Sequence, residues 1–134
     1  MSITTEERKQ LVNTALEARK RAYAPYSHYL VGAALMTKGK KIFTGCNIEN
    51  ASYPLTVCGE RVAMFKAVSE GCKDFDTIVI ATRNGGSPCG ACRQVMAEFA
   101  LDMKVIVVDE NGETTLEATA AELLPEAFTP ANLV

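Results

Sequence analysis

The sequence predicts an α/β protein with three layers, in which helices cover both faces of a mixed five-stranded sheet. Helical and strand-like segments alternate in the order α-β-β-α-β-α-β-β-α, which is typical of one sheet between helices. Residues 77–81 and 105–108 are apolar runs of the kind found in strands buried on both faces, and the helix between them predicts a parallel pair. The length of 134 residues fits one domain, which we expect to span residues 1–134.

The first helix and the hairpin after it have clear sequence signals. Thr4 followed by Glu7 forms a capping-box pattern, and apolar residues then recur at helical spacing. A proline shortly afterwards disfavours helical geometry, so we expect this helix to end near Tyr23. Two apolar runs joined by a Lys-Gly-Lys turn, residues 31–36 and 42–46, predict a β-hairpin.

The remaining elements are predicted from apolar periodicity and from turn residues. Polar residues 47–54 and the glycine-rich segment 83–90 predict loops. The predicted helices and strands after the hairpin are a helix at 58–69, a strand at 77–81, a helix at 91–101, a strand at 105–108, a short strand at 114–116 and a helix at 118–124. In sheets of this kind, binding sites form at the carboxyl ends of strands, where helices begin.

Composition and charge exclude several classes of protein. Apolar residues make up 48% and charged residues 22%, as in globular rather than disordered chains. The net charge, 14 − 16 = −2, argues against binding to a nucleic-acid backbone. Pro25, Ser27 and His28 interrupt the longest uncharged stretch, so we expect no membrane span, and the charged N-terminus lacks the apolar core of a signal peptide. We therefore expect a cytoplasmic protein whose five cysteines stay reduced.

A Pro-Cys-Gly-Ala-Cys motif at residues 88–92 opens a predicted helix. Cys89 and Cys92 are three residues apart and share a helix face, so both sulfurs can reach one ion. The unpaired N–H groups and positive dipole end of a helix start favour thiolates, the form that binds metal. The motif alone is compatible with a zinc site, a thioredoxin-like redox pair or an ordinary helical turn. Its late position after a glycine-rich loop weighs against the redox pair.

A second cysteine motif, Cys58-Gly59-Glu60-Arg61, also opens a predicted helix. Three thiolates would leave the fourth position of a catalytic zinc site for water, whereas a structural site needs four protein ligands. Glu60 would then be the carboxylate beside that water, as a general base and acid. Zinc with three thiolates has a formal charge of 2 − 3 = −1. We therefore expect Arg61, or Arg93 after the third cysteine, to withdraw charge from the sulfurs.

The other soft ligands have no partner at a ligand-like spacing. Cys46 ends an apolar strand, Cys72 follows a turn and His28 lies in a polar segment, so we interpret all three as bystanders. Two alternatives stay open at this point. One is a structural zinc module with four cysteines that binds a protein partner, and the other is a zinc-free thiol protein.

Together the two motifs, Cys58-Gly59-Glu60 and Pro88-Cys89-Gly90-Ala91-Cys92, resemble the C-x-E … P-C-x-x-C signature of zinc nucleoside deaminases. Stretches along nearly the whole chain are similar to the small homotetrameric cytidine deaminases, namely residues 26–29, 31–34, 45–51, 66–71, 92–96 and 123–125. The resemblance implies a cytidine deaminase-like fold, one Zn²⁺ per chain and a homotetramer. It also implies hydrolytic deamination of cytidine and deoxycytidine to uridine and deoxyuridine, with release of ammonia, in pyrimidine salvage.

The resemblance also implies a role for each matching residue. Asn47 and Glu49 match the pair that holds the ribose hydroxyls, and an amide with a carboxylate suits a diol. The other implied roles are zinc binding by Cys58, Cys89 and Cys92, proton transfer by Glu60, charge tempering by Arg61, base contacts by Tyr29, Gly59 and Ala51, and aromatic positions supplied by a neighbouring subunit at Tyr53 and Phe128. Three features depart from the family pattern: Gly59 replaces a usual alanine, Tyr29 adds a hydroxyl, and the loop at residues 83–87 is short.

Two other deaminase substrates are the alternatives within the enzyme class. The acidic charge weighs against a base in nucleic acid. Asn47 and Glu49 weigh against a cytosine nucleoside antibiotic, because they suit an unmodified ribose.

Overall fold

The computed structural model describes residues 3–133. The elements in this range are α1 (Thr5–Arg19), β1 (Gly32–Thr37), β2 (Ile42–Cys46), α2 (Gly59–Ser69), β3 (Phe75–Ala81), α3 (Gly90–Phe99), β4 (Lys104–Val108), β5 (Thr114–Thr119) and α4 (Ala120–Leu123). Short 3-10 turns cover Tyr53–Leu55 and Pro130–Leu133. No helix among the described residues has both the length and the apolar content needed to cross a membrane.

The strands form one five-stranded sheet in the order β2-β1-β3-β4-β5. β3 and β4 are parallel, and every other neighbouring pair is antiparallel. The predicted hairpin, the predicted parallel pair and the mixed sheet are therefore confirmed. Each strand of the parallel pair is buried at all but one position, as its continuous apolar run predicts.

Alternate residues of the central strands face two separate cores, as the pleat requires. On one side, Leu35 and Ile78 pack in a core that also contains residues of α2, α3 and α4. On the other side, Met36 and Val79 pack against Leu11 and its neighbours on α1. Helices therefore cover both faces of the sheet, which confirms the three-layer prediction.

Helix α1 begins as predicted but ends earlier. Thr4 and Glu7 form both hydrogen bonds of the capping box. The helix ends at Arg19, whereas the sequence predicts an end near Tyr23. The backbone of Tyr23 pairs instead with the loop after β2: its N–H donates to Asn47 O, and its carbonyl accepts from Glu49 N, each over 2.9 Å. A tertiary contact thus competes with the last helical turn.

The C-terminal prediction placed a helix at residues 118–124, and the structure corrects its start. Residues 118 and 119 belong to β5, which pairs with β4, and α4 begins at Ala120. Thr119 and Glu122 form a capping box, with Thr119 N donating to Glu122 Oε1 over 2.8 Å. A threonine followed three residues later by a glutamate is a helix-start signal that could have located this boundary.

Helix α2 lies unusually close to the sheet at one point. A Cβ atom built on Gly45 of β2 would lie 2.4 Å from Gly59 O and 2.5 Å from Ala63 N. Only glycine allows this approach, because real Cβ atoms do not come so near to backbone atoms. The contact fixes the start of α2, which carries Cys58 and Glu60, against the edge of the sheet.

Candidate active site

Three sulfur atoms meet where α2 and α3 begin. Cys58 and Cys89 immediately precede these helices, and Cys92 lies in the first turn of α3. The Sγ atoms of Cys58 and Cys89 are 3.7 Å apart, those of Cys89 and Cys92 are 3.5 Å apart, and all three lie within 4.8 Å of one another. Tetrahedral zinc with Zn–S bonds of about 2.3 Å separates its sulfurs by about 3.8 Å, so this cluster fits a zinc ion.

The surroundings of the cluster favour negative charge on sulfur. Neither Cys58 nor Cys89 caps its helix with a side-chain hydrogen bond, so the N-terminal N–H groups and positive dipole ends can stabilise thiolates. Hydrogen bonding from Cys92 lowers the pKa of the Cys58 thiol to about 5, and the Arg61 guanidinium acts in the same direction. Arg61 Nη2 donates to Cys58 Sγ over 3.4 Å, and this contact raises the pKa of Arg61. Donation to Cys58 raises the pKa of the Cys92 thiol.

The cluster contains three residues and no fourth ligand from the described part of the chain. Cys46, Cys72 and His28 lie outside it, as the sequence predicts. Cys72 is half-buried against the core rather than at the surface. Because neither remaining cysteine reaches the cluster, the geometry favours an open fourth position over a four-cysteine structural module.

Arg93 does not contact the sulfurs, so the expectation that it withdraws charge from them is wrong. Its guanidinium donates to Pro88 O and Leu123 O, each over 2.8 Å, and to Ser87 Oγ over 3.1 Å. Each of its three nitrogens thus bonds to the loop before α3 or to the end of α4, which leaves Arg61 as the arginine at the cluster.

Glu60 presents an unpaired carboxylate oxygen at the site. It lies in the first turn of α2, its side chain is almost fully buried, and its Oε1 atom has no hydrogen-bond partner among the described residues. Burial raises the pKa of the carboxyl to about 7, and the negative charge of Cys58 acts in the same direction. A buried carboxyl that titrates near neutral pH, with an oxygen free to bond, can both take and return a proton.

A cavity of about 290 Å³ connects the sulfurs and Glu60 with the loops around them. It opens at the carboxyl end of β3, as expected for this kind of sheet. The residues that line it are Ser27, Tyr29, Val31, Asn47, Glu49, Thr56, Cys58, Glu60, Ile80, Thr82, Gly86, Ser87 and Cys89. A larger surface hollow, about 490 Å³, lies at the opposite end of β3 and includes none of the cysteines.

Asn47 and Glu49 line the cavity, but their side chains also hold the loop before β1. Asn47 Oδ1 accepts from Val31 N over 2.9 Å, and its Nδ2 donates to Tyr29 O over 2.8 Å. Glu49 Oε1 accepts from Tyr26 N and Ser27 N over 2.9 and 3.1 Å, and Glu49 Oε2 accepts from Ser27 Oγ. The Ser27 hydroxyl, with these backbone donors, lowers the pKa of Glu49. Both residues therefore fix the loop that forms one wall of the cavity.

Of the other residues that the resemblance implies in base or subunit contacts, only some lie at the cavity. Tyr29 lines the cavity, whereas Gly59 is buried beneath it, where an added Cβ would lie 3.1–3.3 Å from Val31 and Asn47. Ala51 and Phe128 are exposed and do not line the cavity, and Tyr53 borders an adjoining hollow with Tyr26. The tyrosine rings meet edge to face, 6.0 Å between centroids. These three exposed residues lie outside the cavity of this chain.

Five polar or small residues of the cavity were missed by reasoning from the sequence. They are Ser27, Thr56, Thr82, Gly86 and Ser87. Thr82 follows the carboxyl end of β3, so the strand-end rule could have found it. Thr56 and Gly86 are brought to the cavity by loop conformation, which no local sequence motif predicts.

Comparisons with known proteins agree on one family. The model of the cytidine and deoxycytidylate deaminase zinc-binding region matches residues 5–109. A cytidine deaminase from Halalkalibacterium halodurans is 48% identical over 130 residues, which are 95% of this chain and 98% of that protein. A blasticidin-S deaminase from Bacillus cereus is 36% identical over 130 residues, covering 90% and 91% of the two chains.

A solved structure supports the same relationship in three dimensions. The crystal structure of cytidine deaminase from Burkholderia pseudomallei matches with a TM-score of 0.86 and 42% identity, covering 94% of this chain and all of that one. The family match includes all three clustered cysteines and Glu60. The chain therefore belongs to the zinc-dependent cytidine and deoxycytidylate deaminase family.

Proposed function

We propose that this protein catalyses the hydrolytic deamination of cytidine and deoxycytidine to uridine and deoxyuridine, with release of ammonia. The observation that carries the proposal is Glu60, a buried carboxyl with one unpaired oxygen, in the same cavity as the three-sulfur cluster. Relatives that match nearly the whole chain carry the name cytidine deaminase, which supports this substrate class.

The cluster residues would hold zinc, and Glu60 would move the protons. Zinc held by Cys58, Cys89 and Cys92 supplies activation of water as a nucleophile at neutral pH. Glu60 would accept a proton from the attacking water at its free Oε1 atom and deliver it to N3 of the base as the bond from oxygen to C4 forms. Glu60 would then take the remaining proton from the hydroxyl on C4 and transfer it to the amino group, so that the C4–N bond breaks, ammonia leaves and the C4 carbonyl of the product forms. Arg61, by donating to Cys58, keeps the charge of three thiolates from suppressing the ionisation of water.

The sugar and the base would be held by the loops of the cavity. Asn47 Nδ2 retains one N–H beyond its bond to Tyr29 O, and the oxygens of Glu49 can accept further hydrogen bonds. An amide donor beside a carboxylate acceptor suits the hydroxyls of a ribose. The ring of Tyr29 and the backbone of Gly59 are the proposed base contacts, and Ala51 is proposed at the edge of the same site.

We also propose a homotetramer in which a neighbouring subunit completes the site. Tyr53 is 71% exposed and Phe128 57% exposed in the isolated chain, so both side chains are available for contact with another subunit. Tyr53 borders a hollow that adjoins the cavity, and an exposed aromatic residue in that position suits an interface. A cytoplasmic location and a role in pyrimidine salvage belong to the same proposal, supported by the need for reduced thiols and by the nucleoside substrate.

The central test is Glu60→Gln, compared with the unchanged protein in a spectrophotometric assay with cytidine, deoxycytidine and cytosine. We expect about one zinc per chain in both proteins and a loss of kcat of about 10²–10⁴-fold in the variant, because the amide cannot carry the proton. A zinc chelator should abolish turnover by the unchanged protein. Glu98→Gln, on the exposed side of α3, is the matched control and should keep full activity.

Two outcomes would contradict the proposal. Full activity of the Glu60→Gln variant would remove Glu60 from the mechanism. Turnover of a cytosine nucleoside antibiotic but not of cytidine would assign the site to the alternative substrate. Because the chain is similar to a blasticidin-S deaminase, such an antibiotic must be among the substrates assayed.

A further inference from the structure

The side chain of Tyr29 bridges two loops that form the cavity wall. Its Oη atom donates to Asn84 Oδ1 over 2.7 Å, across 55 positions of sequence. Tyr29 belongs to the loop before β1, and Asn84 belongs to the loop between β3 and α3, residues 83–87. Among the described residues, Tyr29 is the one whose side chain bonds the Asn84 side chain. One phenolic hydroxyl therefore joins two loops that leave the sheet side by side, since Gly32 at the start of β1 pairs with Ala81 at the end of β3.

The backbone of Tyr29 is firmly held on its own side. Its N–H donates to Ser27 Oγ over 3.0 Å, and its carbonyl accepts from Asn47 Nδ2 over 2.8 Å. Asn47 also accepts from Val31 N, so one buried side chain holds the backbone both at Tyr29 and two residues after it. The ring thus extends from a backbone whose position is set before any nucleoside binds.

The loop on the Asn84 side of this hydrogen bond, residues 83–87, contains two glycines. Gly85 has a φ of +70°, which favours glycine, and Gly86 lies directly under the tyrosine hydroxyl. A Cβ built on Gly86 would come within 2.6 Å of Tyr29 Oη, so the phenol packs on the glycine backbone. Gly86 and Ser87 line the cavity, and the chain then continues through Pro88 to Cys89. The placement of this loop therefore sets one wall of the cavity.

We propose that the Tyr29 hydroxyl is a latch that holds the loop at residues 83–87 in the position that admits the nucleoside. Tyr29 is a positioning residue in this respect, because its hydroxyl acts through Asn84 and Gly86 rather than on the reacting atoms. The expected change in KM rests on the proposed deaminase function, whereas the expected effect on the position of the loop does not. Loss of the latch weakens nucleoside binding and leaves the chemistry of Glu60 unchanged.

The test is a double-mutant cycle of Tyr29→Phe and Asn84→Ala, with kcat and KM for cytidine measured on the zinc-containing protein. Tyr29→Phe keeps the ring and removes only the hydroxyl, and Asn84 is exposed, so its variant folds even if the first does not. Each single variant should raise KM by about two- to tenfold, the value of one hydrogen bond, with kcat unchanged. The double variant should be no worse than the more affected single variant, because both changes break the same bond. Tyr23→Phe, an exposed tyrosine outside the cavity, is the matched control.

Hydrogen exchange of the backbone amides at residues 83–87, without nucleoside, gives a readout independent of activity. The Gly86 N–H donates to Thr82 Oγ1 over 3.0 Å, and its exchange should accelerate in both single variants but not in the control. Unchanged KM, unchanged exchange, additive losses in the cycle, or a fall in kcat at constant KM would each overturn the latch. If the unchanged protein does not deaminate cytidine, the proposed function fails, and the exchange experiment still decides whether the latch exists.

Discussion

Two groups of residues lie in or beside the same cavity but differ in how the fold supports them. One is the metal-site residues, Cys58, Glu60, Cys89 and Cys92. The other is the aromatic pair, Tyr26 and Tyr53. The metal-site residues occupy the first turns of α2 and α3 or the positions just before them, on helices packed against the sheet. The aromatic pair belongs to loops, and both rings are largely exposed. The two rings contact each other rather than the core.

This difference indicates that a single chain can form the metal site alone, whereas the surroundings of the aromatic pair are incomplete in a single chain. Sulfur spacings that suit zinc already exist in the single chain, because two helix starts converge at one sheet edge. The aromatic pair gains little burial in the single chain, so its geometry depends on whatever covers it. We therefore expect the metal site to respond to changes in helix packing, and the aromatic pair to respond to changes in assembly.

The largest effect is expected from Gly45→Ala. The new methyl group would lie 2.4 Å from Gly59 O, so the start of α2 must move away from the sheet. We expect a loss of about 3 kcal/mol in the free energy of unfolding, the scale of an overpacked core, and less than one zinc per chain. Denaturant unfolding and metal analysis measure the two effects.

Gly39→Ala is the matched control for this change. A Cβ at Gly39 would meet only Thr37 Oγ1 at 3.8 Å, an ordinary contact, so stability should change by no more than about 0.5 kcal/mol. If Gly45→Ala kept both full stability and full zinc content, the close approach of α2 would not be what positions the metal site.

A smaller and different effect is expected from Tyr53→Ala. Tyr53 borders the hollow that shares Ser27, Glu49 and Thr56 with the cavity, but it does not contact the sulfurs. We expect a KM for cytidine about tenfold higher, weaker association in sedimentation at low protein concentration, and an unchanged zinc content. The reason is that, in the proposed homotetramer, a neighbouring subunit would lose an aromatic contact, while the metal-binding helices stay in place.

Leu101→Ala is the control, because it also removes an exposed apolar side chain, just beyond the end of α3 that is remote from the cysteines. It should alter neither KM nor zinc content. A normal KM in the Tyr53→Ala variant would make the aromatic pair an ordinary surface feature and would end the contrast between the two regions.

The same contrast explains how much of the site could be predicted from the sequence. The metal cluster was predictable because Cys58, Glu60, Cys89 and Cys92 form short motifs at helix starts, where spacing along the chain fixes spacing in space. Arg93 was misassigned for the opposite reason. Its position next to a cysteine suggests a contact with sulfur, but its planar fork finds three oxygen acceptors brought there by the fold. Adjacency in sequence does not determine the direction of a long side chain.

The fold shows the same division between local and long-range information. The hairpin, the parallel pair and the approximate positions of the helices followed from apolar runs and turn residues, because the spacing of buried residues is a local property of the sequence. The end of α1 did not, because Tyr23 leaves the helix to pair with residues near 48, more than 20 positions away. Asn47 and Glu49 likewise clamp the backbone of residues 26–31 by contacts that no local pattern reveals.

The smallest effect is expected from Glu117→Gln, which tests whether either region responds to a modest loss of stability. Glu117 of β5 pairs with Arg8 of α1 over 2.8 Å and with Lys104 of β4 over 3.1 Å, and none of the three lines the cavity. Hydrogen bonds from Arg8 and Lys104, together with their positive charges, lower the pKa of Glu117 to about 2. Because the pair is about one-third exposed and screened by solvent, we expect a loss of only about 0.5–1 kcal/mol in the free energy of unfolding at neutral pH, with zinc content and KM unchanged.

The pH dependence of this variant gives the sharper check. A carboxyl whose pKa is lowered by folding stabilises the protein fully above its unfolded pKa of about 4.3, and this stabilisation is lost as the pH falls toward 2. The difference in unfolding free energy between the unchanged protein and Glu117→Gln should therefore be constant near neutral pH and shrink below about pH 4. Zinc release in acid affects both proteins equally and cancels from the difference. Glu113→Gln, at an exposed carboxylate with no ion pair among the described residues, should show no difference at any pH. A zinc content or KM that changed with Glu117→Gln would mean that the metal site is tuned by the far edge of the sheet, and not by the helix packing at Gly45 alone.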